Sequence, residues 1–266
     1  LPIEEADVDV LMLFLSRERL GNLHRLTGNW RAAIELHQMT LRLGTDLMTL
    51  IAVIEIALRN SICENLAQFF GQPDWLLNPP LPFKWKDKDK RKIQEARKNA
   101  QRAEYSKLSQ AEKADLDRLA FPGGPPADLS HSDRSRERQR QIPVTDGKII
   151  AELTFYIWKR LCGPDYEHTL WRPVLKKSFP NKRVKRSDVA ENLEIIYQAR
   201  NRLAHHEPVL HKRFADTVSA VRYISQHLGA RFPSDATPLY RLIVEDIERI
   251  EENAKILHRI LDDYRM

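Results

Sequence analysis

Apolar residues recur along most of this chain at steps of three and four, the spacing that gathers them on one face of an α-helix. The longest clean stretch of the first half runs from Asp46 to Phe70. There Leu47, Leu50, Ile51, Ile54, Leu58, Ile62 and Leu66 make a broad apolar face. Two helical patterns precede it, one over 7–26 (Val10, Leu13, Phe14, Leu20) and one over 30–43 (Trp30, Ile34, Leu41), the second closed by Gly44. Residues 73–85 are rich in Pro and Trp and read as a connecting loop. Residues 148–162 form a strongly apolar helix ending at Gly163-Pro164, and 213–228 another, stopped by Gly229 and Pro233. From Leu239 to Arg265 the pattern is long and regular, with Ile243, Ile247, Ile250, Ala254, Leu257, Leu261 and Tyr264 on one stripe. No strand alternation and no internal repeat interrupts this picture. The expected fold is all-α, a helical bundle with additional N-terminal helices and a long C-terminal helix, forming one domain over 1–266.

One stretch escapes the pattern. Residues 121–147 open with Phe121-Pro-Gly-Gly-Pro-Pro126 and continue as SHSDRSRERQRQ. That composition offers nothing to bury, so a mobile loop is expected there.

Composition narrows the class. A hydrophobic content of 42% fits a globular protein, and a formal charge of +6 suits either simple solubility or an anionic partner. The basic residues are clustered. Residues 84–102 hold nine Lys or Arg against three acids, with only Ile93, Ala96 and Ala100 as a thin apolar stripe, which predicts an exposed basic helix. Residues 172–186 hold seven Lys or Arg and no acid. Within them Lys176, Lys177, Lys182, Arg183, Lys185 and Arg186 are candidate phosphate-binding groups. The two cysteines, Cys63 and Cys162, sit in apolar helical contexts without Cys-x-x-Cys spacing and read as reduced core residues. The first ten residues are acidic rather than basic, so no secretory leader is expected. No apolar run approaches the ~18 residues of a membrane span. A cytoplasmic location without membrane contact is the expectation.

The chemistry concentrates between Asp188 and His211, DVAENLEIIYQARNRLAHHEPVLH. Asp188 and Glu191 have capping-box spacing for a helix start. Val189, Leu193, Ile196 and Leu203 share one face, and Arg200 falls on the same stripe. An inward guanidinium is costly unless it is paired or set at the wall of a cavity. Pro208 should end the helix near His206. The chain thus places Arg200, Asn201, His205, His206 and Glu207 together at a helix end.

The phrase Ala199-Arg-Asn-Arg-Leu-Ala-His-His-Glu-Pro-Val209 resembles the Arg-Asn-x-x-x-His signature of the HEPN superfamily of RNA-cleaving proteins. Its wording is most similar to the bacterial Abi-like, or abortive-infection, branch. Members of that branch carry a Glu-x-x-x-Arg-Asn phrase in an early helix, here Glu55, Arg59 and Asn60, followed by a Gly-x-x-x-Trp segment, here Gly71 to Trp75. Phe155, Trp158, Leu161, Trp171, Leu175 and Phe179 resemble the aromatic phrase that precedes the Arg-Asn motif. The resemblance implies a HEPN-type bundle and a metal-independent endoribonuclease without cofactor. It also implies a homodimer, because one chain supplies only one full motif. An antitoxin or a phage-derived trigger would be a further partner.

The residue types suit that reaction. His exchanges protons near neutral pH, and Arg presents a fixed charge in a flat fork to phosphate oxygens. His205 is then the general acid or base, Arg200 stabilises charge on the phosphoryl group, and Asn201 orients one of them. His206 and Glu207, with Glu55, Arg59 and Asn60 from the early helix, are supporting candidates. Two other readings stay open from the residues alone. Cations at a helix C-terminus can act simply as a cap. His205, His206, Glu207 and His211 could also gather a metal, although their spacing straddles Pro208. A scaffold that binds RNA or a protein through the basic segments is the alternative function.

Overall fold

Gly44 does not end a helix. In the computed structural model, which describes residues 3–72, 74–232 and 237–264, the two patterns expected on either side of it are one helix, α3 (Trp30–Phe70). A glycine inside a helix costs about 1 kcal/mol relative to alanine. Here its missing side chain is used: a Cβ at Gly44 would stand 3.0 Å from Leu203 Cδ2. The position admits the motif helix rather than breaking its own.

The described residues contain helices and turns and no strand. The fold is all-α, with N-terminal helices and a long C-terminal helix, as the sequence pattern implies. The chain sorts into two compact units. The first comprises residues 1–61, 162–164 and 176–266, the second residues 62–161 and 165–175.

In the first unit, α1 (Glu5–Leu15) and α2 (Arg17–Thr27) replace the single helix expected over 7–26. Ser16 breaks them with φ 65°, while its hydroxyl accepts the Arg19 N–H at 3.2 Å and so starts α2. Val8, Met12, Leu20 and Ile34 form the core of this end. The motif helix α9 (Arg186–Ala204) packs on α10 (His211–His227), and α10 packs on α11 (Pro238–Asp263). Val189, Leu193, Ile196 and Ala199 of α9 are buried, as are Ile243, Ile247, Ile250, Ala254, Leu257 and Leu261 of α11. Tyr264, counted on that stripe in the sequence, follows the last helical turn and is exposed. Arg265 and Pro233, read as helix end and helix stop, lie outside the described residues.

In the second unit, α4 (Asp87–Ser106) is the expected basic helix, with Ile93, Ala96 and Ala100 buried along its thin stripe. Residues 74–85 are non-helical and wrap an aromatic cluster. Phe70, Trp75, Phe83, Trp85 and Tyr166 stand 4.9–6.3 Å apart in successive pairs, and the Trp85 indole donates to Leu76 O at 2.8 Å. The apolar helix expected over 148–162 is divided into α7 (Asp146–Glu152) and α8 (Phe155–Leu161) by extended backbone at Leu153.

The stretch expected as a mobile loop over 121–147 contains a helix, α6 (His131–Arg140), after α5 (Gln110–Ala120). Neither helix buries an apolar side chain, which is why hydrophobic periodicity did not reveal α6. Charge holds it instead. Ser130 caps its start, and Arg134 and Arg138 both fork onto Asp117 of α5. These arginines hold the Asp117 carboxyl well below the usual carboxylate range. Gln101 of α4 donates to Arg140 O and Ile142 O and ties down the far end.

Candidate functional site

Helix α9 begins two residues before the expected Asp188 cap. Lys185 is the N-cap residue and offers no side-chain cap, so the Asp188–Glu191 capping box does not form. The Arg186 guanidinium donates to Cys162 O at 3.2 Å and anchors this first turn, and Ser187 Oγ donates to Asp188. Asp188 still contributes as an acid in the first turn, where it faces the positive end of the helix. Burial pushes the Cys162 thiol up to about 12, so it is a packing residue.

The other end carries the motif. His205 is the C-cap, and its N–H donates to Asn201 O and Arg202 O. His206 takes a left-handed conformation, φ 57°. Its N–H donates to Leu203 O at 2.9 Å, and the Glu207 N–H donates to Arg202 O at 2.8 Å. That pair of bonds is the Schellman closure, in which glycine usually occupies the left-handed place. Glu207 closes it further by pairing with Arg202 at 3.0 Å. Glu207, a supporting candidate by its place in the motif, is therefore engaged in ending the helix.

Arg200 is half-buried at the edge of the apolar stripe. Its guanidinium has no hydrogen bond or ion pair with any other described residue. Asn201 is half-buried beside it, and the His205 and His206 rings are exposed. His206, Glu207 and Pro208 line one side of a cleft of about 430 Å³, with Gly44, Met48 and Ala52 of α3 on the other. Glu55 and Arg59 are half-buried on α3 and Asn60 is exposed. Arg59 Nε donates to Asn60 Oδ1 at 3.3 Å.

His211, which the sequence groups with the motif histidines, is turned elsewhere. Its ring stacks on His258 of α11 at 4.4 Å, and its backbone N–H donates to His258 Nε2 at 2.9 Å. Among the described residues no three His, Cys, Asp or Glu side chains converge as a metal-binding group. Nothing in the sequence pairs His211 with a residue 47 positions later. Because Nε2 accepts, His258 is neutral in this arrangement. Burial, then the neighbouring His211, lowers its pKa against a smaller opposing effect of Asp262, and burial with Arg19 lowers that of His37. Depressed histidine pKa values mean that the unfolded chain takes up protons first as pH falls. Stability is then complete above the unfolded value of about 6.5 and declines below it. The midpoint of thermal unfolding should drop between pH 7.5 and 5.5, and His258→Asn should flatten part of that slope.

The basic segment is not beside the motif. Helix α9 has 19 residues and is therefore about 28 Å long. Residues 176–186 flank its start, whereas Arg200 and His205 lie at its end. The helix itself separates the two. Nor are the six cations equivalent. Lys176 is half-buried, and its ammonium donates to Asn181 O at 2.7 Å and Val184 O at 2.5 Å. Burial lowers its pKa. It clamps the loop and does not face an external phosphate. Lys177, Lys182, Arg183 and Lys185 are exposed.

The chain matches no model of a known protein family, no curated protein and no solved structure. Among the described residues no helix is long and apolar enough to cross a membrane.

The left-handed turn at His206 provides a direct test of what its side chain is for. Glycine relieves about 1 kcal/mol of left-handed strain and adds a similar entropy to the unfolded chain. His206→Gly should leave urea-unfolding stability within about 1 kcal/mol of wild type. Any larger change in activity then reports the imidazole rather than the turn.

Proposed function

We propose that this protein is a metal-independent endoribonuclease whose catalytic groups are Arg200, Asn201 and His205. The observation that carries the reading is Arg200: a half-buried guanidinium without a described partner, in the last turns of a helix that ends at an exposed histidine, His205. A partner-free cation in that position is costly unless it meets an anion. RNA supplies one at every linkage. His205 takes the proton of a 2′-hydroxyl, whose oxygen attacks the adjacent phosphorus. The bond from phosphorus to the 5′-oxygen breaks, that oxygen gains a proton, and a 2′,3′-cyclic phosphate remains. Arg200 balances the charge on the phosphoryl oxygens through that step.

Base and acid are two jobs, and one motif supplies one histidine of the right spacing. The active form in this reading is a homodimer that joins two copies of the α9 end. The HEPN and Abi-like resemblance of residues 199–209 extends the reading to a bacterial defence or toxin role, restrained by an antitoxin or released by a phage trigger.

A second reading is favoured by the Schellman closure. It accounts for His205, His206 and Glu207 as helix-ending residues, so the cluster could be structural in a non-catalytic scaffold that binds RNA or a protein through exposed cations. Incubation of end-labelled RNA with the protein in EDTA separates the two. The nuclease reading expects cleavage with 2′,3′-cyclic phosphate ends, lost in Arg200→Ala and His205→Ala while RNA binding persists. Intact RNA at protein concentrations where the dimer is populated, across structured and single-stranded substrates, would sink it in favour of the scaffold.

A further inference from the structure

A second cleft, of about 1010 Å³, opens at the start of α9. The loop 180–184 forms one wall, Tyr223 and His227 of α10 another, and Arg231 and Phe232 stand at the edge. Among the described residues that line it, Lys182, Arg183 and Arg231 are cationic and one, Asp188, is a carboxylate. Among the described residues Lys182 and Arg183 have no ion-pair partner, so their charge is available to a ligand.

The cleft is also built rather than incidental. Lys176 clamps the loop from beneath through two carbonyls, and Asn181 Oδ1 accepts the Arg183 N–H at 2.8 Å. The Gly229 N–H donates to Ser178 O at 2.8 Å and fixes the end of α10 to the same loop. Tyr223 and His227 stack at 4.1 Å and 22°, and His227 Nδ1 bonds Tyr223 O at 2.7 Å. That bond fixes the ring and leaves Nε2 for another partner. Phe232, 84% exposed, is a second aromatic surface at the rim.

Unpaired cations beside a rigid aromatic pair have one common ligand chemistry, a phosphate attached to a flat heterocycle. We propose that this cleft is a nucleotide site, with the base on the Tyr223–His227 stack and its phosphate held by Lys182 and Arg183. Asp188 is an acceptor for an exocyclic amino group, so adenine, guanine and cytosine are preferred to uracil. Burial, then Asp188, raises the Tyr223 pKa. The nucleotide comes either as a free mononucleotide or as the phosphorylated end of an RNA strand.

The site is at the opposite end of α9 from His205, and the proposal does not rest on cleavage. Calorimetric titration of the full chain with AMP, GMP, CMP, UMP, inorganic phosphate and short RNAs bearing a 5′-phosphate or 5′-hydroxyl tests it. Nucleotides should bind more tightly than phosphate, and Lys182→Ala/Arg183→Ala should weaken them by about tenfold or more. Both side chains are exposed, so this variant folds. Arg200 does not line this cleft, so Arg200→Ala should bind the mononucleotides as wild type. A 5′-phosphorylated strand that outcompetes AMP identifies a strand end, and equal affinity identifies a free nucleotide; either sustains the proposal. Phosphate binding as tightly as every nucleotide would overturn it. So would no binding by any of them, or affinity unchanged in the double variant.

Discussion

Arg200→Ala should reduce RNA cleavage by about 10²–10³-fold, the usual consequence of removing one fixed charge from a developing oxyanion. Its effect on folding should be small. The guanidinium has no described partner to orphan, and the half-buried stem sits at the edge of the stripe rather than within the Leu193–Ile196–Ala199 core. A structural arginine predicts the reverse. If Arg200 mainly stabilised α9, the variant would lose unfolding free energy and RNA binding together, and turnover per folded molecule would be unchanged. Arg200→Lys distinguishes further. A lysine keeps the charge but not the planar fork, so it should recover turnover only in part, with RNA binding as in wild type. His205→Ala should match Arg200→Ala in turnover, and the two together should cost little more than either alone, because groups that serve one step are not additive. A multiplicative double loss would place the two residues in different steps. Single-turnover cleavage with protein in excess measures all of these without interference from product release.

The parts of this fold that follow from apolar periodicity were legible in advance, and the parts built by charge were not. The stripe of α9 and that of α11 are buried as their spacing implies, because each meets a neighbouring helix with an apolar face of its own. Gly44 was misread because a glycine's propensity argues for a helix end, whereas its use, a 3.0 Å approach to Leu203, depends on a residue 159 positions away. Helix α6 was invisible for a different reason: it buries nothing apolar and is held through Asp117 and Gln101. The site divides in the same way. That Arg200 and the two histidines share a helix end was readable from spacing and Pro208. That Lys176 clamps its own loop, that Glu207 belongs to Arg202, and that Lys182 and Arg183 face a separate cleft all required the tertiary arrangement. The Tyr223 and His227 positions had a signal that went unused, an aromatic and an imidazole four apart on one helical face.

Asp89→Ala should destabilise the second unit by roughly 3 kcal/mol, the lower end of the range for removing one partner of a buried pair. Asp89 is 1% exposed in the first turn of α4, where the helix dipole favours its charge. It accepts from Arg160 Nε at 2.6 Å and from the Tyr166 hydroxyl at 2.7 Å. That hydroxyl in turn accepts the Lys86 N–H at 3.0 Å. One carboxylate therefore joins the start of α4 to α8 and to the turn at 164–166. Burial opposes the Arg160 charge while Asp89 supports it, with a net rise in its pKa, and burial together with the Asp89 bond raises that of Tyr166. Arg160 keeps a second partner, Asp165 at 2.8 Å, but that carboxylate is half in water and replaces little of what is lost. The buried Tyr166 hydroxyl keeps none for its proton. Asp89→Asn keeps the shape but only one acceptor oxygen, the other becoming an NH2 donor, so it loses the charge and one of the two accepted bonds and should cost nearly as much as the alanine. Four of the five tryptophans, Trp75, Trp85, Trp158 and Trp171, belong to this unit, so urea unfolding followed by tryptophan fluorescence reports on it directly. A loss below about 1 kcal/mol for Asp89→Ala would mean that water reaches Arg160 and screens the pair as it does at a surface. The second unit would then be held by the aromatic packing around Trp85 and Tyr166 rather than by this carboxylate.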